Sequence, residues 1–553
     1  MPMAESALKL DASWVDYALV ALYFAFVLGI GWAARSKVSS SIDFFLSGRS
    51  LPAWVTGLAF ISANLGAVEI VGMSANGVQY GFQTMHYFWI GAIPAMVFLG
   101  IVMMPFYYGS KVRSVPEFML RRFGPGAHLV NAISFAVAQL LIAGINLLLL
   151  AKVVNSLLGW PLWLTLIIAA VIVLSYITLG GLSAAIYNEV LQFFVIIAAL
   201  LPLTIIGLHN VGGWSGLKER VAEESHFHTW PGTDISGFDN PIISVIGLVF
   251  GLGFVLSFGY WTTNFVEVQR SMAADSLSAA RRTPIIGAFP KMFVPFIVVI
   301  PGMIAGATVA PIMDGSAKPN DAMLYLMRDL LPSGLLGVAL AGLLAAFMAG
   351  MAANISAFNT VISYDIWQTY VVKDREDSYY LGFGRLATVA ATVIAIFTAL
   401  IAQNFGNVMD YLQTLFGFFN APLFATFILG MFWKRMTPTA GWVGLVCGTL
   451  SAIIYWVLAT FSGSEAALFN LPGQGTAFVA ASLAFAVDIA ISIAVSALTV
   501  PKADHEMVGF VRSVTPKEDL SDAAEVGVAW YKRTVPLGAL CMAMVIVLNI
   551  VFA

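Results

Sequence analysis

The sequence predicts an all-α polytopic membrane protein with about 14 transmembrane helices, and three observations carry the prediction. Of 553 residues, 59% are hydrophobic and only 10% are charged, where soluble domains carry roughly 25%. Mean hydropathy is +0.87. Apolar runs of about 20 residues, the length that crosses a bilayer as a helix, recur along the chain. A soluble enzyme, a nucleic-acid binder or a secreted scaffold of this size could not hide so much apolar surface. The runs are continuous rather than alternating, which favours helices over a barrel.

The first run, 14–34, follows an acidic stretch (Glu5, Asp11, Asp16) and reads as a retained span, because a cleaved leader wants a basic start. It forms an N-terminal segment, 1–51, with one extra helix. Runs at 52–78, 84–108, 127–157, 162–179 and 185–208 make a first group of five, 52–208. The stretch 209–240 reads as a solvated external loop, and its His226 and His228 as ordinary loop residues rather than metal ligands. Runs at 241–262, 285–310, 333–366, 382–403 and 407–433 make a second group, 241–433. Runs at 438–461, 475–499 and 533–552, with an inner loop 500–532, complete a C-terminal part, 434–553.

Two runs are interrupted by small and polar residues. One reads Ser62-Ala63-Asn64-Leu65-Gly66 before Glu69. The other reads Gly251-Leu252-Gly253 and Ser257-Phe258-Gly259. They lie five crossings apart. An odd number of crossings inverts the second copy of a repeat, so this spacing predicts two inverted five-helix repeats with flanking helices. Broken helices at matching places in such repeats point to a transport site near mid-membrane.

Charges at bilayer depth are costly and mark function. Glu69, Lys152, Glu189, Lys291 and Asp365 are the candidates. Lys291 needs a carboxylate or a polar solute as acceptor. Lys152 and Asp365 read as groups at span ends. Tyr260-Trp261 followed by Asn264 offers an aromatic wall and an amide, and Gln413 a second amide. Such donors and acceptors suit a small, neutral, polyhydroxylated solute. No phosphate-binding loop, zinc-spaced His pair or catalytic constellation is visible, so the chain is not expected to be an enzyme. Uphill transport would draw on an ion gradient.

Positive charge sets the expected orientation. With the N-terminus outside, the inner loops hold most of the 27 Lys and Arg, among them Arg35, Lys37, Arg122, Arg270, Lys373 and Lys517. The outer side holds Lys9, Lys218, Arg220, Lys318 and Arg328. Both termini are therefore expected outside a cell membrane. Cys447 and Cys541 lie in apolar runs and support no disulfide framework.

Several segments resemble the sodium/solute symporter family, and its glucose/galactose branch in particular. They are Ser62-Ala63-Asn64 through Met73, Gly180-Gly181-Leu182-Ser183-Ala184 through Gln192, Tyr260-Trp261 through Gln269-Arg270-Ser271, Val299-Ile300-Pro301-Gly302-Met303, Gly430-Met431-Phe432-Trp433-Lys434-Arg435, and Trp530-Tyr531-Lys532-Arg533. The resemblance covers nearly the whole chain. It implies two inverted five-helix repeats, one helix before them and several after. It implies Tyr260, Trp261, Asn264, Lys291 and Gln413 as solute contacts or their neighbours, and Met73 and Tyr87 as an outer hydrophobic gate. Phe88 stands where the family has a sugar-binding Glu, Ile142 where it has an Asn, and Glu69 where it has Gln or His.

The implied sodium site departs further. Its positions correspond to Ser62, Leu65, Ala346, Ala349 and Gly350, and the family's two hydroxyl residues are Ala349 and Gly350 here. Sodium prefers several hard oxygen ligands, so the expected site is weakened. Protons, moving through Glu69 or Glu189 as an ion relay, are the alternative coupling ion. The sequence thus predicts an ion-coupled symporter of a sugar or polyol. A carrier or uniporter of a carboxylate or another small solute, and a non-transporting solute sensor, stay open. The lipid bilayer is the only other partner expected; no nucleic acid and no partner protein are.

Overall fold

A computed structural model describes residues 8–34, 40–221, 223–230, 234–403, 407–461, 471 and 473–553. Glu5, Arg35 and Lys37 fall outside this set. Among the described residues the chain is helical, with no strand and one isolated backbone bridge. The helices are α1 (Trp14–Ala34), α2 (Ala53–Asn64), α3 (Ala67–Tyr80), α4 (Tyr87–Gly109), α5 (Pro125–Leu158) and α6 (Leu162–Val211). Next come α7 (Pro241–Thr263), α8 (Phe265–Met272), α9 (Leu277–Lys291), α10 (Val294–Thr308) and α11 (Leu335–Val371). The last are α12 (Asp377–Ala402), α13 (Val408–Phe432), α14 (Pro438–Phe461), α15 (Gly475–Leu498) and α16 (Thr534–Val551).

Among the described residues 12 helices are long and apolar enough to cross a membrane, and up to 13 if the bent pair α2–α3 counts as one span. The expected count of 14 is not reached for a definite reason. The runs 162–179 and 185–208 lie in one unbroken stretch of helical backbone, α6. Within it Leu182–Val211 is long enough to cross, and Leu162–Ser175 is apolar but shorter.

Both interruptions lie where the backbone leaves the helix, one at its expected place and one displaced. The first is at Leu65 (φ −67°, ψ 40°) and Gly66 (φ −72°, ψ 176°), and α2 and α3 meet at 53°. The second is not at the glycines. Gly247–Ser257 stays helical with wide, π-type turns, and the break falls at Asn264 (φ −70°, ψ 116°). Asn264 is a helix-starting residue: its side chain accepts from the Val266 backbone N–H at 3.0 Å, and α8 begins. The carbonyl of Thr262, freed by the break, accepts from the Tyr107 hydroxyl at 3.0 Å. The two broken helices are tied at one end, where Leu51 exchanges backbone bonds with Ala273 and Asp275.

α11 forms the buried spine, a run of Ala and Gly against which α6 and α5 pack closely. α1, α14 and α16 lie outside, with large apolar residues such as Trp32, Ile454 and Ile546 exposed, as lipid-facing helices require. Two arginines expected in inner loops are fully buried instead. Arg122 donates to the carbonyls of Gly430 and Met436, closing the C-terminal end of α13. Arg270 lies on α8 and pairs with Glu189.

Candidate functional site

A cavity of about 100 Å³ opens where α2–α3 and α7–α8 break, walled by α5, α11 and α13. Seven residues expected at the solute, Glu69, Phe88, Tyr260, Trp261, Asn264, Lys291 and Gln413, all line it, and so do the expected gate residues Met73 and Tyr87. Their separation in sequence is large; the two breaks, the start of α4, the C-terminal end of α9 and α13 bring them together.

Lys291 sits at the centre. It ends α9 and is 1% exposed, so its ammonium has left water almost completely. Burying a charge costs several kcal/mol unless it is paired. It donates to Glu69 Oε1 and to Asn64 Oδ1. It also lies 5.0 Å from the centre of the Phe88 ring and 5.2 Å from that of Trp261, within cation–π reach. Phe88 is thus a face for the ammonium, and Glu69 is the carboxylate paired with it.

The polar chain continues beyond the lysine. Asn64 Nδ2 donates to the Tyr260 hydroxyl at 3.1 Å, and that hydroxyl donates to Glu267 Oε1 at 2.8 Å. The Asn64 amide therefore bridges Lys291 and Tyr260. Trp261 stands edge-on to Tyr260 at 5.3 Å and stacks on Phe60 at 5.7 Å, which fixes the aromatic wall. The Gln413 amide N–H contacts Met409 Sδ at 3.3 Å, a weak acceptor, so its polar end stays available. Asn264 lines the cavity, but its Oδ1 is already used to start α8.

The positions of the expected sodium site lie on elements that face each other. Ser62, Leu65, Ala346, Ala349 and Gly350 are fully buried at the first break and on the facing side of α11. A methyl group added to Gly66 would lie 3.2 Å from Gly350 Cα and 3.6 Å from the Ala346 carbonyl oxygen.

Glu189 is not brought to the cavity. It is fully buried and held by Arg270, with Nε 3.3 Å from Oε2 and a second bond through Nη2. Asp365 accepts from Ser114 at 2.8 Å and lies 3.0 Å from His128, a buried cluster rather than a group at a span end. Lys152 is partly exposed, 3.7 Å from Asp321. In the stretch 209–240, His226 Nε2 lies 3.0 Å from Glu223, near Asp234, while His228 contacts the Ala553 carbonyl.

Sequence reasoning missed Glu267 and also Asn146, which lines the cavity from α5. Glu267 was hidden because the apolar run ends at 262, which left it in an expected loop. The spacing Asn264-Phe265-Val266-Glu267 is that of a helix start, a helix-capping residue followed three positions later by Glu, and would have revealed a second half-helix. Asn146 carried no local signal, lying inside a long apolar run.

Comparisons with known proteins agree with this architecture. The family model for the sodium:solute symporter family matches residues 44–448. A sodium/glucose cotransporter of Vibrio parahaemolyticus is 30% identical over 457 residues, covering 78% of this chain and 83% of that protein. Sodium/glucose cotransporter 4 of Homo sapiens is 30% identical over 475 residues, covering 80% and 69%. Sodium/myo-inositol cotransporter 2 of Oryctolagus cuniculus is 27% identical over 485 residues, covering 80% and 70%. Among solved structures, a Na+-coupled sialic acid symporter in a substrate-bound outward-open state has a TM-score of 0.73 at 18% identity, covering 88% of this chain and 99% of that one. That likeness is one of fold, the inverted-repeat fold of ion-coupled transporters. The chain therefore belongs to the sodium:solute symporter family and is a multi-pass, ion-coupled transporter of a small-molecule solute, not an enzyme.

Proposed function

We propose that this chain carries a small, polar, sugar-like solute, a sugar or polyol, by alternating access at the cavity between the two broken helices. The observation that carries the reading is the Glu69–Lys291–Asn64–Tyr260 chain of hydrogen bonds buried beside an aromatic wall. Its donors and acceptors come in near-balanced numbers, which suits hydroxyl groups that both donate and accept. The relatives named for glucose and myo-inositol support the same class. A carboxylate solute is disfavoured because Glu69 already neutralises Lys291.

The cavity is small for a sugar, with room for several waters. Solute therefore enters as Gln413, Phe416 or Met73 moves aside. In this reading Met73 and Tyr87 form the outer gate, and 52–208 and 241–433 form the two repeats. Both termini lie outside the cell membrane. Sodium binding is weak where Ala349 and Gly350 replace hydroxyl residues. A second reading, proton coupling through Glu69, is favoured by one observation: Glu69 Oε2 is buried with no hydrogen-bond partner among the described residues.

The test is counterflow and uptake in proteoliposomes. A panel of sugars, polyols, monocarboxylates and amino acids is competed first. Uptake of the accepted solute is then driven by separate sodium and proton gradients. Competition by sugars or polyols alone is expected. Competition by monocarboxylates alone would overturn the solute class. Stimulation by protons and not by sodium would favour the second reading.

A further inference from the structure

We propose that Asn146 supplies a side-chain oxygen to a monovalent-cation site at the first helix break, in place of the hydroxyls that α11 lacks at Ala349 and Gly350. The inference rests on the reading of the chain as an ion-coupled carrier.

Four observations converge. Asn146 lies on α5 and is 2% exposed. Its Nδ2 donates to the Ile142 carbonyl at 3.2 Å, which turns the amide so that Oδ1 points away from its own helix. That Oδ1 is buried and, among the described residues, has no hydrogen-bond partner. An acceptor stripped of water and left unmatched is unfavourable, so such an atom calls for a ligand.

Its position says which ligand. A methyl group added to Gly350 would stand 2.7 Å from Asn146 Oδ1, and one added to Gly66 would stand 3.5 Å from it. The same point above Gly66 is 3.6 Å from the Ala346 carbonyl oxygen. The amide oxygen therefore occupies the space that a serine side chain at position 350 would take, facing the break. There α2 ends, and its last carbonyls lose their intrahelical donors. Ser62, on the last turn of α2, has a buried Oγ that also lacks a partner among the described residues. An amide oxygen, a hydroxyl and backbone carbonyls are hard, neutral ligands. They suit sodium, whereas a divalent ion would want carboxylates. The nearby carboxylate in the cavity wall, Glu69, is engaged by Lys291. Nothing in this ligand set titrates, so the site does not serve a proton.

Asn146 and a serine at 350 are alternatives for one space, and this gives the proposal a compensation test. Purified full-length protein, without solute, is titrated with sodium against choline at constant ionic strength, and its melting temperature is read by tryptophan fluorescence. The wild type is expected to show saturable stabilisation by sodium. Asn146→Ala should raise the half-saturating sodium concentration on the order of tenfold, as loss of a ligand-shell group does. Gly350→Ser alone should weaken sodium because it crowds the amide. Asn146→Ala combined with Gly350→Ser should recover most of the response. Asn146→Asp, which keeps the oxygen and adds charge, should lower the half-saturating concentration and serves if the alanine variant does not fold.

A wild type no better stabilised by sodium than by choline overturns the site. So does Asn146→Ala, or Asn146→Asp where alanine fails, with a wild-type sodium response. Wild-type solute counterflow with equal ions on both sides tests the carrier reading separately. Intact counterflow without a sodium response would overturn this site alone.

Discussion

Lys291 and Glu69 show how a membrane interior prices a charge. Each is buried, and each is tolerable only because the other is there. Removing one partner strands the other, typically at about 3–5 kcal/mol, while removing both together is often close to neutral. Lys291→Met and Glu69→Leu should each lower the melting temperature, and the double variant should recover most of that loss. Independent losses that simply add would show that the pair is not coupled. Solute recognition is a separate matter. Lys291→Ala or Gln413→Ala should weaken solute binding by roughly tenfold, the effect of losing a hydrogen bond or two worth about 1 kcal/mol each. Calorimetric titration with the accepted solute measures it, and unchanged affinity in both variants would remove these residues from the site.

Among the helices, what matters is where a helix stops and how closely two can approach. Asn264 starts α8 with its side chain, and Asn264→Ala should cost about 1 kcal/mol of stability. Close approach is decided at α3 and α10. A methyl group on Gly302 would lie 2.1 Å from the Ser74 carbonyl oxygen, and one on Gly77 would lie 2.4 Å from that of Val299. Only hydrogen fits on these two facing surfaces, the small-residue packing that membrane helices favour. Gly302→Val should push α3, the helix that carries Glu69 and Met73, away from its neighbour. A loss of about 1–3 kcal/mol or more is expected, together with loss of counterflow. Gly29→Ala on α1, where an added methyl group meets nothing within 4 Å, is the control and should change stability by less than about 0.5 kcal/mol.

For the molecule as a whole, the distribution of positive charge makes a prediction about sidedness. In right-side-out vesicles of a variant first freed of Cys447 and Cys541, single cysteines at Lys218 or Ser316 should react with an impermeant reagent. Cysteines at Lys373 or Lys517 should react only after permeabilisation. The reverse pattern would invert the proposed topology. The charge count predicts this although it mixes two kinds of basic residue. Arg122 and Arg270 are fully buried and hold helices together, whereas Lys373 and Lys517 are free to meet water.

Hydrophobic composition and run length were enough to predict a helical membrane protein, because lipid forces every span to be apolar and to satisfy its own backbone. The break after Asn64 was legible for the same reason: Ser, Asn and Gly in an apolar layer weaken a helix wherever they fall. Glu69, Tyr260, Asn264, Lys291 and Gln413 were legible because a polar or charged group at bilayer depth needs a purpose, whereas Met73, Tyr87 and Phe88 were legible only through the family resemblance. The tertiary structure alone decided the pairings. That Lys291 meets Glu69 and Asn64, that Glu189 is taken by Arg270, and that Asn146 stands in the space opposite Gly350 are facts about helices far apart in sequence. The second break sat at Asn264 and not at Gly251–Gly259 because glycines can stay helical when wide turns accommodate them, while an Asn whose side chain starts a new helix ends the old one. Sequence names which groups need partners; the packing of one helix against another chooses them.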